Sequence, residues 1–168
     1  DESGQTVLHK AVLQENWALV DQLLQKTIDI KLVDGTDKTA LKYAEAKLPF
    51  VALITDGKLL EIERLIKLGL DINTRDDSEF GRTLLHHAVL QEKPDLLMRL
   101  LTMPGLQPTL NVDTVSTEGE SALHYAAAAE KDNVAIVRIL VETGHASLFL
   151  KNGTDQTPRE IAIEGKHK

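Results

Sequence analysis

A segment reading TVLHKAVLQE at residues 6–15 returns as TLLHHAVLQE at residues 83–92, identical at eight of ten positions. Fainter copies are TALKYA from Thr39, SALHYA from Ser121 and TPREIA from Thr157. The leading Thr or Ser therefore stands at 6, 39, 83, 121 and 157, in steps of 33, 44, 38 and 36. Repetition with a base period near 33 residues constrains the fold more than any other feature. A unit that short cannot build its own core, so each must stack on its neighbours.

Within each copy, Thr or Ser before an apolar stretch is a good helix N-cap, because its oxygen accepts from a backbone N–H that would otherwise have no partner. The helix it starts is short and carries alanine where the next unit must approach closely. A second helix follows with large apolar pairs at helical spacing, such as Leu19, Val20, Leu23 and Leu24. Ala11 leads by 12 and 13 residues to Leu23 and Leu24, and Ala88 by the same distances to Leu100 and Leu101, whereas Ala44 reaches Leu65 and Ile66 only after 21 and 22. The second copy thus carries nine extra residues, and the turn between Asn73 and Gly81 is two residues longer than a 33-residue unit needs. The insertion, near residues 47–56, contains the apolar run Leu48, Pro49, Phe50, Val51, Ala52, Leu53 and Ile54, expected to form an extra helical segment folded inward on its own second helix. Acid-rich turns precede the first helices, with Gly35 and Gly153 supplying turn conformations.

These residues resemble the ankyrin repeat, whose unit is a turn, a helix opening Thr-Pro-Leu-His-x-Ala and a second helix ending near Gly-Ala-Asp-x-Asn. Thr6, Leu8, His9 and Ala11 approximate the opening, as do Thr83, Leu85, His86 and Ala88, and Ser121, Leu123, His124 and Ala126. Gly69, Leu70, Asp71, Ile72 and Asn73 approximate the ending. Proline enters the motif only at Pro158, Lys42 replaces the histidine of the second unit, and the third unit ends in Met103, Pro104 and Gly105. The resemblance covers the whole chain. It implies an all-α solenoid of helix-turn-helix units with turn or β-hairpin fingers, in one domain over 1–168 with units at 1–33, 34–77, 78–115, 116–151 and a partial 152–168. The last unit stops one helix long, which reads as a piece of a longer protein.

Composition removes several classes of function. The net charge is −7, which disfavours nucleic acid, whose phosphates are neutralised by Lys and Arg. There is no cysteine, so disulfides and thiolate metal sites are excluded, in keeping with a reducing, cytoplasmic setting. No apolar run approaches the roughly 20 residues of a membrane helix. His9, His86 and His124 share one motif position, and stacked helices stand about 8–10 Å apart, too far for one ion with ligands near 2 Å. The ankyrin resemblance implies instead that these rings hydrogen-bond within the turn and helix start. His86 and His87 diverge by about 100° around their helix. No phosphate loop, metalloprotease helix, nucleophile elbow or carboxylate pair stands in a suitable context. No catalytic residue, metal or cofactor is expected.

The expected work is recognition of a protein or peptide by the finger and inner-helix face, with a monomer as the simplest state. Asp34, Asp37, Asp76, Asp77, Glu79, Glu118 and Glu120 are expected to form an acidic row on the fingers that steers a basic partner. Phe80 and Arg82 are the expected anchor, and Tyr43, His87 and Tyr125 mark the inner-helix stripe. Asn73, with Leu65, Asp71 and Ile72, looks like the pattern accepted by the asparaginyl hydroxylase of ankyrin domains, although a turn asparagine bonding its own backbone is the simpler role. The alternatives are a targeting or inhibitory domain of a larger enzyme or bacterial effector, and a scaffold without a partner of its own.

Overall fold

The structure, a computed structural model, describes residues 3–47, 50–104, 110–129 and 133–165, without the side chains of Lys47 and Phe50. The chain divides into two compact units, residues 1–71 and 72–168. Asp1, Glu2, Leu48, Pro49, Gly105 and the Phe50 side chain lie outside what is described.

The first unit holds α1 (Val7–Leu13), α2 (Trp17–Leu24), α3 (Ala40–Lys47), α4 (Phe50–Thr55) and α5 (Leu59–Lys67). Thr6 caps α1 in a reciprocal box: its hydroxyl oxygen accepts from the His9 N–H at 3.3 Å, and its own N–H donates to His9 Nδ1 at 3.2 Å. A tight turn then reverses the chain into α2, with Gln14 N–H donating to the Lys10 carbonyl, Asn16 N–H to that of Ala11, and Glu15 in the left-handed region at φ 54°. The segment expected as an insertion is α4, and it enters α5 through the same turn. Asp56 N–H donates to the Ala52 carbonyl, Lys58 N–H to that of Leu53, and Gly57 takes φ 63°. Leu53 therefore stands where Ala11 stands in α1, and Leu53 and Ile54 are fully buried while Val51 is exposed. Leu8, Ala11, Val12, Val20, Ala44, Ile62 and Leu65 complete an aliphatic core. Of the expected α2 pairs only Val20 is buried, with Leu19, Leu23 and Leu24 half-buried.

The second unit holds α6 (Leu84–Leu90), α7 (Pro94–Thr102), α8 (Ala122–Ala128), α9 (Val134–Arg138) and α10 (Pro158–Gly165). The α6–α7 turn repeats the pattern again, with Lys93 N–H donating to the Ala88 carbonyl and Glu92 at φ 52°. After Arg138 the helix widens into a π-helical turn, Ile139–Thr143, ending at Gly144. The α8 helix packs on α6 and on α10, and Leu84, Leu97, Leu100, Ala122 and Leu140 are fully buried. No helix among the described residues is long and apolar enough to cross a membrane.

The fingers are short hairpins with isolated antiparallel bridges at Val33–Thr39 and Val115–Ser121. Each begins with a short side chain that accepts from the backbone ahead of it. Asp34 Oδ1 accepts from the Thr36 and Lys38 N–H groups, Asp76 Oδ1 from Ser78 and Arg82, Ser116 Oγ from Glu118 and Glu120, and Asn152 Oδ1 from Thr154 and Gln156. The span from first residue to closing residue is two longer in the Asp76 finger, as the sequence register requires.

Candidate interaction site

His9, His86 and His124 tie each first helix to the finger that follows it. In all three, Nδ1 faces the capping Thr or Ser, while Nε2 lies 2.9 Å from the Lys38 carbonyl, 3.0 Å from that of Glu120 and 3.1 Å from that of Gln156. A carbonyl can only accept, so each Nε2 carries the proton and each Nδ1 accepts from the cap. The rings are neutral, buried structural parts. Burial, reinforced by the nearby Arg82 and Arg75 charges, pushes His86 down to about 4. Sequence reasoning foresaw the bond to the helix start and missed the longer bond to the next finger. Among the described residues no group of three or more His, Asp or Glu converges as a metal site.

The acidic finger residues divide sharply. Asp34 is buried in the first unit, its Oδ2 accepting from the Tyr43 hydroxyl at 2.7 Å. That bond, with those of Thr36 and Lys38, holds its carboxyl far below the usual range in spite of burial. Asp37 is exposed at φ 60°. In the second unit Asp76 Oδ2 accepts from His87 Nε2 at 2.6 Å. Burial pushes the Asp76 carboxyl up, but bonds from Ser78, His87 and the Arg82 N–H outweigh it and leave it below the ordinary value. Asp34 and Asp76 are thus consumed by the folds of their own turns. Asp77, Glu79 and Glu118 are exposed, and Glu120 is half-buried, accepting from Asn152 Nδ2 at 3.4 Å.

One cluster in the second unit gathers five of the twelve candidates. The Arg82 guanidinium carbon lies 4.2 Å from the Phe80 ring centre and 5.2 Å from that of Tyr125, and Arg82 Nε donates to the Tyr125 hydroxyl at 3.4 Å. Tyr125 stands edge-on to His86, with centres 5.4 Å apart. The finger carrying Phe80 is held by the next one: Thr117 N–H donates to the Phe80 carbonyl at 2.9 Å and the Thr117 hydroxyl to the Glu79 carbonyl at 3.0 Å. Gly81, at φ 53°, allows this approach, since a Cβ there would meet Thr117 Cγ2 at 2.9 Å and Arg75 Cδ at 3.5 Å. Phe80, Arg82, Tyr125, His87 and Asp76 thus form one patch, which Arg75 joins. Arg75 was not singled out from the sequence; a basic residue opening an acidic finger was the available signal. Tyr43 lies in the first unit, edge-on to His9 with Lys38 above its ring. Asn73 is half-buried, and its Oδ1 accepts from the Asn111 N–H at 2.7 Å.

Stacked helical hairpins joined by hydrogen-bonded fingers, with a half-buried cluster of an arginine and two aromatic rings, define a helical repeat protein. The family described as ankyrin repeats in three copies matches residues 50–152, and the chain belongs to the ankyrin repeat family, with its all-α solenoid fold. Folds of this family generally serve as protein-interaction modules and are typically non-catalytic. The chain is 29% identical to the E3 ubiquitin-protein ligase KEG of Arabidopsis thaliana over 95% of its own length and 9% of that protein's. It is 30% identical to the nuclear factor NF-kappa-B p105 subunit of Gallus gallus over 76% of its own length and 12% of that protein's. It therefore spans about a tenth of the curated relatives it matches. Among solved structures it resembles a chain from the complex of a predatory endopeptidase of Bdellovibrio bacteriovorus with an immunity protein, at 28% identity and TM-score 0.54, covering 99% of this chain and 78% of that one. The ankyrin repeat domain of Bcl-3, a member of the IkappaB family, shares the fold at 23% identity and TM-score 0.59, covering 100% of this chain and 84% of that one.

Proposed function

We propose that the chain binds a protein partner through the finger and inner-helix face of residues 72–168, with Phe80, Arg82 and Tyr125 as the anchor. The observation that carries this reading is the gathering of an arginine and two aromatic rings into one pre-ordered patch, the residue types that dominate binding energy in protein interfaces. Ordering in the free state lowers the entropic cost of association. The exposed carboxylates Asp77, Glu79 and Glu118 lie on the same two fingers and favour a partner with a basic surface, chiefly through the association rate. Asp76, bonded to His87, holds the Arg82 N–H, while Asp34, Asp37 and Tyr43 belong to the other unit's fingers and carry no part of the anchor.

A photo-crosslinking residue at position 80, compared with one at the exposed position 138 of α9, tests the assignment. Partner cross-links from 80 and not from 138 are expected; the reverse pattern would move the interface to the other side. A second reading, a targeting or inhibitory part of a larger enzyme or effector, draws on the ligase of which the chain spans a small fraction and on the endopeptidase and immunity-protein complex. It is favoured if the cross-linked partner is an enzyme whose turnover falls on addition of this protein.

A further inference from the structure

Among the described residues two arginines lie over aromatic rings, and they differ in one respect. In the first unit Arg64 lies 5.8 Å from the Trp17 ring centre and is closed by Asp21, with Nε donating to Oδ1 at 2.9 Å and Nη2 to Oδ2 at 2.8 Å. In the second unit Arg82 lies closer, 4.2 Å from the Phe80 ring centre and 5.2 Å from that of Tyr125, and its Nε is spent weakly on the Tyr125 hydroxyl. Among the described residues no carboxylate pairs with Arg82, although Asp77, Glu79, Glu118 and Glu120 belong to the same two fingers. Among the described residues no buried side-chain nitrogen lacks a partner, so the Nη donors of Arg82 reach solvent. The equivalent position holds Lys38, Glu120 and Gln156 in the other fingers, so the fork is peculiar to this finger.

We propose that Arg82 is a carboxylate receptor: an aspartate or glutamate side chain of the partner docks on its open Nη edge and supplies the counter-charge that Asp21 supplies to Arg64 through the Nε and Nη2 edge. The inference rests on the interface reading above and names what that interface recognises. A planar guanidinium whose orientation is already fixed by stacking offers two parallel donors to a carboxylate. Arg75, exposed and without a carboxylate partner among the described residues, adds positive charge to the same finger, while His87 is already committed to Asp76. The surrounding tips decide what else the bound segment carries. Asp77, Glu79 and Glu118 repel a polyanion or a doubly charged phosphate, so the segment presents one isolated carboxylate between Lys or Arg residues that meet the tips.

The test is a random peptide library displayed on phage and selected against the full chain, with the enriched peptides synthesised and their affinities measured by fluorescence anisotropy. Enriched sequences are expected to carry Asp or Glu flanked by Lys or Arg. Arg82→Gln and Arg82→Lys should each weaken binding about tenfold while lowering the melting temperature by no more than a few degrees. Changing the peptide's acid to its amide should weaken binding to the same extent, and both changes together should cost no more than either alone. Peptides that lose binding with Tyr125→Ala but are indifferent to Arg82→Gln would overturn the carboxylate receptor and leave the interface reading standing. Tighter binding when phosphoserine replaces the acid would overturn it in favour of a phosphate receptor. If no enriched peptide responds to Tyr125→Ala or Arg82→Gln, both readings fall.

Discussion

Protonating His86 should unfasten the second unit, and the cost follows from the geometry. The ring is fully buried, its Nδ1 accepts from the Thr83 N–H at 3.0 Å, and its Nε2–H donates to the Glu120 carbonyl. A second proton would sit on Nδ1, opposite a donor, with Arg82 and Arg75 adding like charge. The folded value of about 4 lies below the ordinary histidine value of 6.5. Because the folded value is depressed, the contribution of neutral His86 is complete above pH 6.5 and is lost as the pH falls from there toward 4. At 1.36 kcal/mol per pH unit, the wild type should lose about 2 kcal/mol between pH 7 and pH 5 from this ring alone. His86→Gln should be less stable at pH 7 but lack that part of the slope, so the two curves converge on acidification. Urea titrations at both pH values measure the difference, and the His86 ring resonances give the protonation midpoint directly. Parallel stability curves, or a midpoint near 6.5, would refute the reasoning.

Three further outcomes test the fold. Gly119→Ala should destabilise the second unit by more than about 2 kcal/mol in thermal melts, because φ is +76° and a Cβ would meet the Gly153 nitrogen at 2.6 Å. Leu53→Ala should cost about 3 kcal/mol in urea unfolding, since α4 buries this side chain completely, whereas Val51→Ala, on the exposed side of the same helix, should stay within about 0.5 kcal/mol. Asn73→Ala should cost about 1 kcal/mol by leaving the Asn111 N–H without its acceptor, and peptide mass spectrometry of the native protein should find no added oxygen on Asn73, whose side chain is already occupied structurally.

The parts legible in the sequence are those whose chemistry is local. Thr6, Thr83 and Ser121 announce helix starts because a cap acts over three residues, and the histidine three positions on completes the box. The partner of α5 was harder to read. Counting from Ala44 treats α4 as an addition, but the backbone turn at Gly57 shows α4 to be the helix hydrogen-bonded into α5 as α1 is into α2, with Leu53 in the alanine position. FVALIT carries neither the Thr nor the His of the motif, so motif matching passes over it. The acidic row was legible only in part, because turn acids look alike in sequence whether solvated or consumed. Positions 34, 76, 116 and 152 hold Asp, Asp, Ser and Asn, all short acceptors; that shared property, rather than charge, marks their role in closing the finger. The Phe80–Arg82 neighbourhood was readable from adjacency, but the contribution of Tyr125, 43 residues beyond Arg82, follows only from stacking one unit on the next.

The most direct test of the interface is the affinity of a partner identified by cross-linking, measured by isothermal titration calorimetry against the wild type, Phe80→Ala with Tyr125→Ala, and Arg138→Ala with Glu142→Ala. Residues 80 and 125 flank Arg82, while 138 and 142 are exposed on the other helix layer. Loss of the two rings should raise Kd by more than about tenfold, with the 138 and 142 pair unchanged. An unchanged Kd for the ring variant, or a loss confined to the 138 and 142 pair, would contradict the finger and inner-helix face as the site of recognition.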